Sequence, residues 1–167
     1  MAAINRLYLD TNIFIALGEG TDAISALLFD LIARQMPEER FLFTSELSLA
    51  ELLVHPYRER NEELISLYDN WITSGGWLTA GPVNRSVLLS AALIRAQYGS
   101  IKLPDAIHLS TAIGFECTHF LTADKRLPSE IRIRHERWGS SQGPAEISVL
   151  KLEPDVLRHL INERSKT

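Results

Sequence analysis

Near its beginning the chain reads Leu7-Tyr8-Leu9-Asp10-Thr11-Asn12, a short apolar segment that ends in three polar residues. Residues 4–9 are rich in side chains that favour strands, whereas Asp, Thr and Asn are residues that commonly begin helices. We therefore predict a buried strand that passes directly into a helix. Asp10 would then lie at the carboxyl end of the strand, where open α/β sheets bind their ligands.

The rest of the chain repeats this alternation of short strands and amphipathic helices. The first helix is predicted to break at Gly18 and Gly20 and to restart behind Thr21, while Ser45 is predicted to cap a later helix that Pro56 ends. Further strands are predicted at 41–43, 77–79, 118–121 and 147–152, and further helices at 61–73, 84–99, 104–115 and 154–164. Such alternation favours a three-layer α/β/α fold around a central, mostly parallel sheet.

Length and composition are those of one globular domain covering residues 1–167, because 46% of the side chains are hydrophobic and a second core would lack apolar material. The C-terminal portion, 139–167, carries no motif that assigns it a function, and neither does the long segment 18–40. Residues 125–143 mix apolar alternation with a polar loop and are assigned no element.

Net charge and cysteine content narrow the function classes. A formal charge of -4 argues against a protein held on nucleic acid by bulk electrostatics, so any RNA contact must be local. Cys117 is the only cysteine, which excludes an intramolecular disulfide, and its apolar surroundings indicate a packing role. No apolar run approaches the roughly 20 residues that a membrane span needs, so we expect a cytoplasmic protein.

Four acids stand at positions where the apolar pattern has little use for a charge: Asp10, Glu51, Asp105 and Asp124. Two would follow strands, one would lie in a leucine-rich helix and one in the first turn of a helix. Carboxylates buried together raise one another's pKa and lose hydration, which is unfavourable unless a cation offsets both effects. Oxygen ligands without a cysteine or histidine cluster point to Mg²⁺ or Mn²⁺, a site suited to hydrolysing phosphodiesters.

Each acid also has a purely structural interpretation. Asp10 could cap a helix, Asp105 could stabilise a helix N-terminus, and Asp124 could belong to an ordinary loop. Glu51 could face water, as most helix glutamates do. Only the joint occurrence of all four favours a metal site.

Four stretches together resemble the PIN-domain family, and in particular the VapC-type toxins of bacterial toxin–antitoxin pairs. They are 7–12, 44–52, 103–112 and 120–127, and they follow one another in the family's order. The first and third are specific, whereas the second and fourth would be weak alone. The resemblance implies a three-layer α/β/α fold and endonucleolytic cleavage of RNA with Mg²⁺ or Mn²⁺.

The resemblance also implies roles for individual residues. Asp10 and Asp105 would be the principal metal ligands, with Asp124 assisting through water and Glu51 orienting or activating water. Thr122 matches a polar position near the family's site that could orient ligands or water.

Thr11 and Asn12 match two further polar positions near the family's site. His108 lies one helical turn from Asp105, and we interpret it as a packed or hydrogen-bonded structural residue.

Partners follow from the same resemblance. An antitoxin would lay an apolar helix into a groove and bring a basic side chain to the acidic pocket, and two copies of the chain could form a homodimer. The densest basic stretch directly follows Asp124 and could hold RNA phosphates, although a solvated loop is an equal interpretation. Its members are Lys125, Arg126, Arg132, Arg134 and Arg137.

Two other functions compete with the nuclease. One is a PIN-like binding module whose acidic pocket no longer catalyses. The other is a phosphatase like the haloacid dehalogenases, with Asp10 as nucleophile. That class normally has a second aspartate two residues later, where this chain has Asn12, which cannot serve as a general acid.

Overall fold

The computed structural model describes residues 4–35, 39–73, 76–137 and 140–164, with side chains at 136–144 left undescribed. The strands are β1 (Leu7–Leu9), β2 (Leu42–Ser45), β3 (Thr79–Gly81), β4 (His119–Thr122), β5 (Glu130–Arg137) and β6 (Ser140–Lys151). The helices are α1 (Thr11–Glu19), α2 (Ala23–Ala33), α3 (Leu47–Leu52), α4 (Val54–Glu59), α5 (Glu62–Trp71), α6 (Arg85–Gln97), α7 (Leu103–Gly114) and α8 (Pro154–Arg164).

One sheet in the order β3-β2-β1-β4-β6-β5 organises the molecule. All neighbouring strands run parallel except β5, which pairs antiparallel with β6 at one edge. In β1, Leu7 is in register with both Leu42 and His119, so the first strand of the chain lies in the middle of the sheet. The predicted α/β fold with a mostly parallel sheet is confirmed.

The sheet buries apolar side chains on both faces, as helices on both sides require. Leu7 and Leu9 belong to a core cluster that includes residues of α1, α2, α5 and α8. Tyr8 points to the opposite face, where it packs with residues of α6 and α7. Because successive strand residues alternate between faces, three consecutive buried residues of β1 contribute to both cores.

Two helix boundaries differ from the prediction around β2. Ser45 is the last residue of β2 rather than a helix N-cap, although its hydroxyl accepts a hydrogen bond from the backbone N of Leu47 at 3.2 Å. Pro56 does not end a helix but lies in the first turn of α4, where a missing N–H removes no intrahelical bond. Two short helices, α3 and α4, therefore lie where one helix was predicted.

The first helix also continues further than predicted. It passes through Gly18 to Glu19, and α2 begins behind Asp22, whose carboxylate accepts from the N–H groups of Ile24 and Ser25. A Cβ on Gly18 would lie 3.2 Å from the Trp71 ring, so this glycine permits close packing of helices rather than a break.

The remaining helices and short strands lie close to their predicted positions, but the last strand, predicted at 147–152, already begins at Ser140 as β6. Asn84 caps α6 as predicted, but Tyr98 rather than Gly99 ends it. The unassigned segment contains β5, which forms the antiparallel sheet edge. None of the described helices combines the length and the hydropathy that a membrane crossing requires.

Candidate active site

Asp10 follows the central strand and is 94% buried, being 6% exposed. One oxygen, Oδ1, accepts a hydrogen bond from the backbone N of Thr11 at 2.8 Å and so caps α1. The other, Oδ2, accepts from the Thr122 hydroxyl at 2.6 Å and from the Asn12 amide at 2.7 Å. The carboxylate therefore caps a helix, as the structural interpretation of Asp10 predicts, and it also lies at the carboxyl edge of the sheet.

Thr122, at the end of β4, ties the neighbouring strand to this network. Its hydroxyl accepts from the backbone N of Asp124 at 2.9 Å while it donates to Asp10. The side-chain oxygen Oδ1 of Asn12 accepts a hydrogen bond from the backbone N of Ala123 at 2.8 Å, and this bond joins α1 to the loop after β4. Thr122 is fully buried, so it is linked to the cleft only through its contacts with Asp10 and with the loop after β4.

Glu51 reaches the same region from α3. Its Oε2 accepts a short hydrogen bond from the Thr11 hydroxyl and lies 2.9 Å from Nε2 of His108. Burial raises the pKa of Glu51, but the hydrogen bonds from His108 and Thr11 outweigh burial and hold that pKa below its ordinary value. Glu51 therefore stays ionised near neutral pH.

His108 and Tyr8 form a buried layer beneath Glu51. His108 is 1% exposed, and its Nδ1 lies 2.8 Å from the hydroxyl of Tyr8, which is 0% exposed. Burial, with a smaller contribution from Asp10, raises the pKa of Tyr8 well above its ordinary value, so its hydroxyl stays protonated. The structural interpretation of His108 is thus correct in its contacts, but those contacts lead directly to Glu51.

Asp105 lies in the first turn of α7, as predicted, and is half-buried. Burial raises its pKa, and the carboxylates of Asp10 and Asp124 raise it further, while His108 and Arg126 act in the opposite direction. The ionised form of Asp105 is therefore disfavoured, first by burial and then by two neighbouring carboxylates.

Asp124 has a different partner. The Arg126 guanidinium donates to both of its oxygens, with the shortest contact 2.7 Å from Oδ2, and this ion pair holds the pKa of Asp124 at about 2. Lys151 adds a nearby positive charge by donating to the backbone oxygen of Asp124 at 2.8 Å. The loop after β4 therefore places the cationic side chain of Arg126 beside the acids of the cleft.

These groups meet in one open cleft of about 560 Å³. It is lined by Asp10, Thr11, Asn12, Ile15, Glu51, Asp105, His108, Ala123, Asp124 and Arg126. The structure thus brings all four predicted acids to one cleft, whereas Thr122 lies behind it. Sequence reasoning missed Tyr8, because an aromatic residue in a buried strand gives no sign of a polar partner.

The acids fit a hard divalent cation in donor type but not in their present spacing. All four offer carboxylate oxygen, and the crowding that raises the pKa of Asp105 is what a cation would relieve. Within the described parts of the chain, however, no three Asp, Glu, His or Cys side chains are grouped so that they could hold a metal ion. A metal would require some of these side chains to move or to bind through water.

The basic stretch is divided by the fold. Arg126 lines the acidic cleft, whereas Arg132 and Arg134 line a separate depression with Leu93 and Gln97. Arg132 is also paired with Glu130 and Glu146. Lys125 is exposed, and the side chain of Arg137 lies outside the described residues. Arg126 is accordingly the member of this stretch best placed to act at the cleft.

Three solved structures are similar in fold. A toxin–antitoxin complex from Klebsiella pneumoniae is 21% identical, covers 72% of this chain and 88% of its own, and has a TM-score of 0.52. VapC20 of Mycobacterium tuberculosis, a toxin that cleaves the sarcin–ricin loop, is 16% identical, covers 68% of this chain and 86% of its own, and has a TM-score of 0.55. VapBC2 of Rickettsia felis, bound to a DNA fragment from its promoter, is 18% identical, covers 73% of this chain and 92% of its own, and has a TM-score of 0.55.

No curated protein matches the chain. A family model does match, and it extends from the first strand to the start of β5, including the whole acidic cleft. Since residues 7–130 match the model of the PIN domain, this chain belongs to the PIN-domain family.

Proposed function

We propose that the protein is a metal-dependent endoribonuclease that acts as the toxin of a toxin–antitoxin pair in the cytoplasm. The observation that carries the proposal is the meeting of four carboxylates in one cleft, at the carboxyl edge of β1 and β4, in a PIN-domain chain. One of the similar structures is a toxin–antitoxin complex and another is a toxin that cleaves the sarcin–ricin loop, which supports the same function.

In this proposal the carboxylates of Asp10, Asp105, Asp124 and Glu51 hold Mg²⁺ or Mn²⁺, directly or through water. When bound, the ion would polarise the phosphoryl group and help to ionise water at neutral pH. Asp10 is held in place, because Thr122 and Asn12 both donate to its Oδ2. Asp124 would have to share its oxygens with, or be released by, Arg126.

The protein's own side chains would divide the remaining work. Glu51 is ionised and held by two donors, so it can accept a hydrogen bond from an attacking water and orient it. Arg126 is exposed and lines the cleft, so it can contact an RNA phosphate when it leaves Asp124. Such a local cation is what a chain of net charge -4 needs to approach a polyanion.

The proposed antitoxin would cover the cleft with an apolar helix and place a basic side chain among the acids. Ile15, 45% exposed and part of the cleft lining, offers an apolar contact at this position. Self-association into a homodimer stays a prediction from the resemblance.

The competing binding module draws support from one observation, the absence of a metal-holding group among the described side chains. The phosphatase draws none, because the Asn12 amide donates to Asp10 and cannot supply a proton-donating carboxyl group.

The test combines metal binding with RNA cleavage. Chelator-treated protein should bind Mn²⁺ in calorimetry and should cleave RNA only after Mg²⁺ or Mn²⁺ is added. Asp10→Asn and Asp105→Asn should each lower the rate by at least about 100-fold, as loss of a metal ligand does, with unchanged circular dichroism. Asp69→Asn, which changes an exposed acid on α5, should cleave normally. Metal binding without cleavage of varied RNAs would favour the binding module, and cleavage in the presence of chelator would reject the proposal.

A further inference from the structure

Beneath the cleft lies a chain of polar contacts whose purpose the proposed function leaves open. The Tyr8 hydroxyl meets Nδ1 of His108 at 2.8 Å, and Nε2 of His108 meets Oε2 of Glu51 at 2.9 Å. Tyr8 and His108 are 0% and 1% exposed, so the bond between them is shielded from bulk water. The chain runs from the fully buried face of β1 to a carboxylate that lines the cleft.

The donor that faces Glu51 follows from the chemistry of a carboxylate. An ionised carboxylate only accepts hydrogen bonds, so Nε2 of His108 must carry the proton that points to Glu51. Nδ1, the other ring nitrogen, is held by the Tyr8 hydroxyl at 2.8 Å. These two contacts fix the orientation of the ring and direct a donor to Glu51.

Thr11 supplies the second donor to the same oxygen. Its hydroxyl donates to Oε2 of Glu51. The hydroxyl oxygen of Ser48 lies 3.2 Å from the Thr11 hydroxyl oxygen. With both donors on Oε2, the carboxylate is held in one rotation and can present Oε1 to the cleft. Nε2 of His108 also lies 4.0 Å from Oδ1 of Asp10, so the ring is close to two of the four acids.

We propose that His108, whose ring is held by Tyr8, is a positioning residue that holds Glu51 in the orientation needed for RNA cleavage. This inference rests on the proposed nuclease function. His108 is 1% exposed and acts through Glu51. Groups that orient an active-site ligand in this way commonly change activity or metal affinity by about 10–100-fold when they are removed.

A first test needs neither metal nor substrate. In chelator-treated wild-type protein with ¹⁵N-labelled histidine, long-range ¹H–¹⁵N correlation spectra distinguish the protonated ring nitrogen from the bare one. We expect Nε2 of His108 to be protonated. A protonated Nδ1 with a bare Nε2 would overturn the proposal, because no donor would then face Glu51.

A second test separates positioning from packing. In His108→Gln the amide can take the place of Nε2 and still donate to Glu51, whereas in His108→Asn the amide reaches only as far as Nδ1 and loses that bond. Both variants lose the ring, which packs edge-on against Tyr8 at a centroid distance of 5.9 Å, so both should lose stability. His108→Asn should lower kcat by about 10–100-fold with little change in KM, and His108→Gln should recover most of that loss.

Two controls complete the design. His119→Asn removes another buried histidine whose ring bonds to Thr118 and lies outside the cleft lining, so kcat per folded molecule should not change. In a Glu51→Gln background, His108→Asn should cause little further loss, because both changes remove the same oriented carboxylate.

The outcomes distinguish the two proposals. Equal losses of kcat in His108→Asn and His108→Gln, or no loss in either, would overturn the positioning role while the wild-type enzyme still cleaves RNA. Absence of metal-dependent cleavage by the wild-type protein would overturn the nuclease function, and the role of His108 with it.

Discussion

At the scale of single residues, Asp105 carries a charge that its surroundings in the cleft disfavour. Its pKa is raised by burial and then by Asp10 and Asp124, so its ionised form is disfavoured in the folded, metal-free protein. A raised carboxyl pKa contributes stability below the unfolded value near 3.8, and that contribution is lost as pH rises through the folded value. At neutral pH the ionised side chain should therefore destabilise the fold.

Asp105→Asn should stabilise the metal-free protein at pH 7 by up to about 1 kcal/mol, a limit set by solvent screening of a half-buried group. The corresponding rise in Tm is roughly 2–4 °C. Thermal denaturation of both proteins with chelator should show the gap at pH 7 and its disappearance near pH 3, where the wild-type side chain is also neutral. A lower Tm for the variant at pH 7 would contradict the account.

Arg126 offers a second prediction, because it neutralises Asp124 where a metal ion is proposed to act. Arg126→Ala should raise the pKa of Asp124 from about 2 towards its ordinary value of 3.8, as carboxyl ¹³C shifts during an acid titration would report. It should also tighten Mn²⁺ binding, since the guanidinium no longer competes for the carboxylate. Arg158→Ala breaks a surface pair with Asp155 and should change neither quantity. Weaker Mn²⁺ binding in Arg126→Ala would show that Arg126 supports the site rather than competing for it.

The candidate site could be predicted from the sequence only where a residue's type clashes with its surroundings. Asp10 and Asp124 end apolar strands, and Glu51 interrupts a leucine-rich helix, so their chemistry is visible in the pattern. Tyr8 suits a buried strand as well as phenylalanine would, and its bond to His108 joins residues 100 positions apart. Such a contact depends on packing and leaves no local mark.

At the scale of elements, the contact between β3 and the end of α7 is tight because Gly81 has no side chain. A Cβ there would lie 2.5 Å from Cε2 of Phe115 and 3.0 Å from Cγ2 of Thr111. Phe115 cannot easily yield, since its ring already packs against Phe43 at a centroid distance of 4.9 Å.

Gly81→Ala should therefore lower the free energy of unfolding by about 1–3 kcal/mol, the usual cost of overpacking. Urea denaturation would measure the change. Gly114→Ala is a matched control on the last turn of α7, where a Cβ meets nothing within 4 Å, and it should be neutral or stabilising by up to about 1 kcal/mol. Similar losses in both variants would mean that close packing does not explain the effect.

Element types were predictable because strands and helices differ in apolar period, but their ends were less so. Ser45 and Pro56 are typical boundary residues, yet one closes a strand and the other lies in a first helical turn, since neighbouring β3 and α5 decide where the chain turns. β5 was not predicted, because a partly exposed antiparallel edge strand needs fewer apolar residues than a central parallel one.

At the scale of the whole molecule, strand order determines which residues meet. The chain places β1 between β2 and β4, so Asp10 and Thr122 become neighbours although 112 residues separate them. The alternation of strands and helices predicts a parallel sheet but not this order. From the sequence, the acids could be predicted to lie together only because the carboxyl ends of parallel strands share one edge.

The C-terminal residues, for which the sequence offered no functional motif, complete both the sheet and the core. β6 pairs with β4, and α8 places Leu157 and Leu160, each 0% exposed, in the same cluster as Leu28 and Leu31 of α2. If residues 1–167 fold as one domain, damage in α8 should destabilise the whole chain rather than a separate unit.

Leu160→Ala should lower the free energy of unfolding by about 2–5 kcal/mol, through lost burial and the cavity left against α2. In a Trp138→Phe background, which leaves Trp71 and Trp77 of the same core as fluorescent reporters, circular dichroism and tryptophan fluorescence should give one coincident transition at a lower urea concentration. Asn162→Ala, at an exposed position of the same helix, should leave the transition in place. A fluorescence transition that stays at the wild-type midpoint while part of the helical signal is lost early would show that α8 unfolds on its own. Such a result would contradict a single cooperative domain.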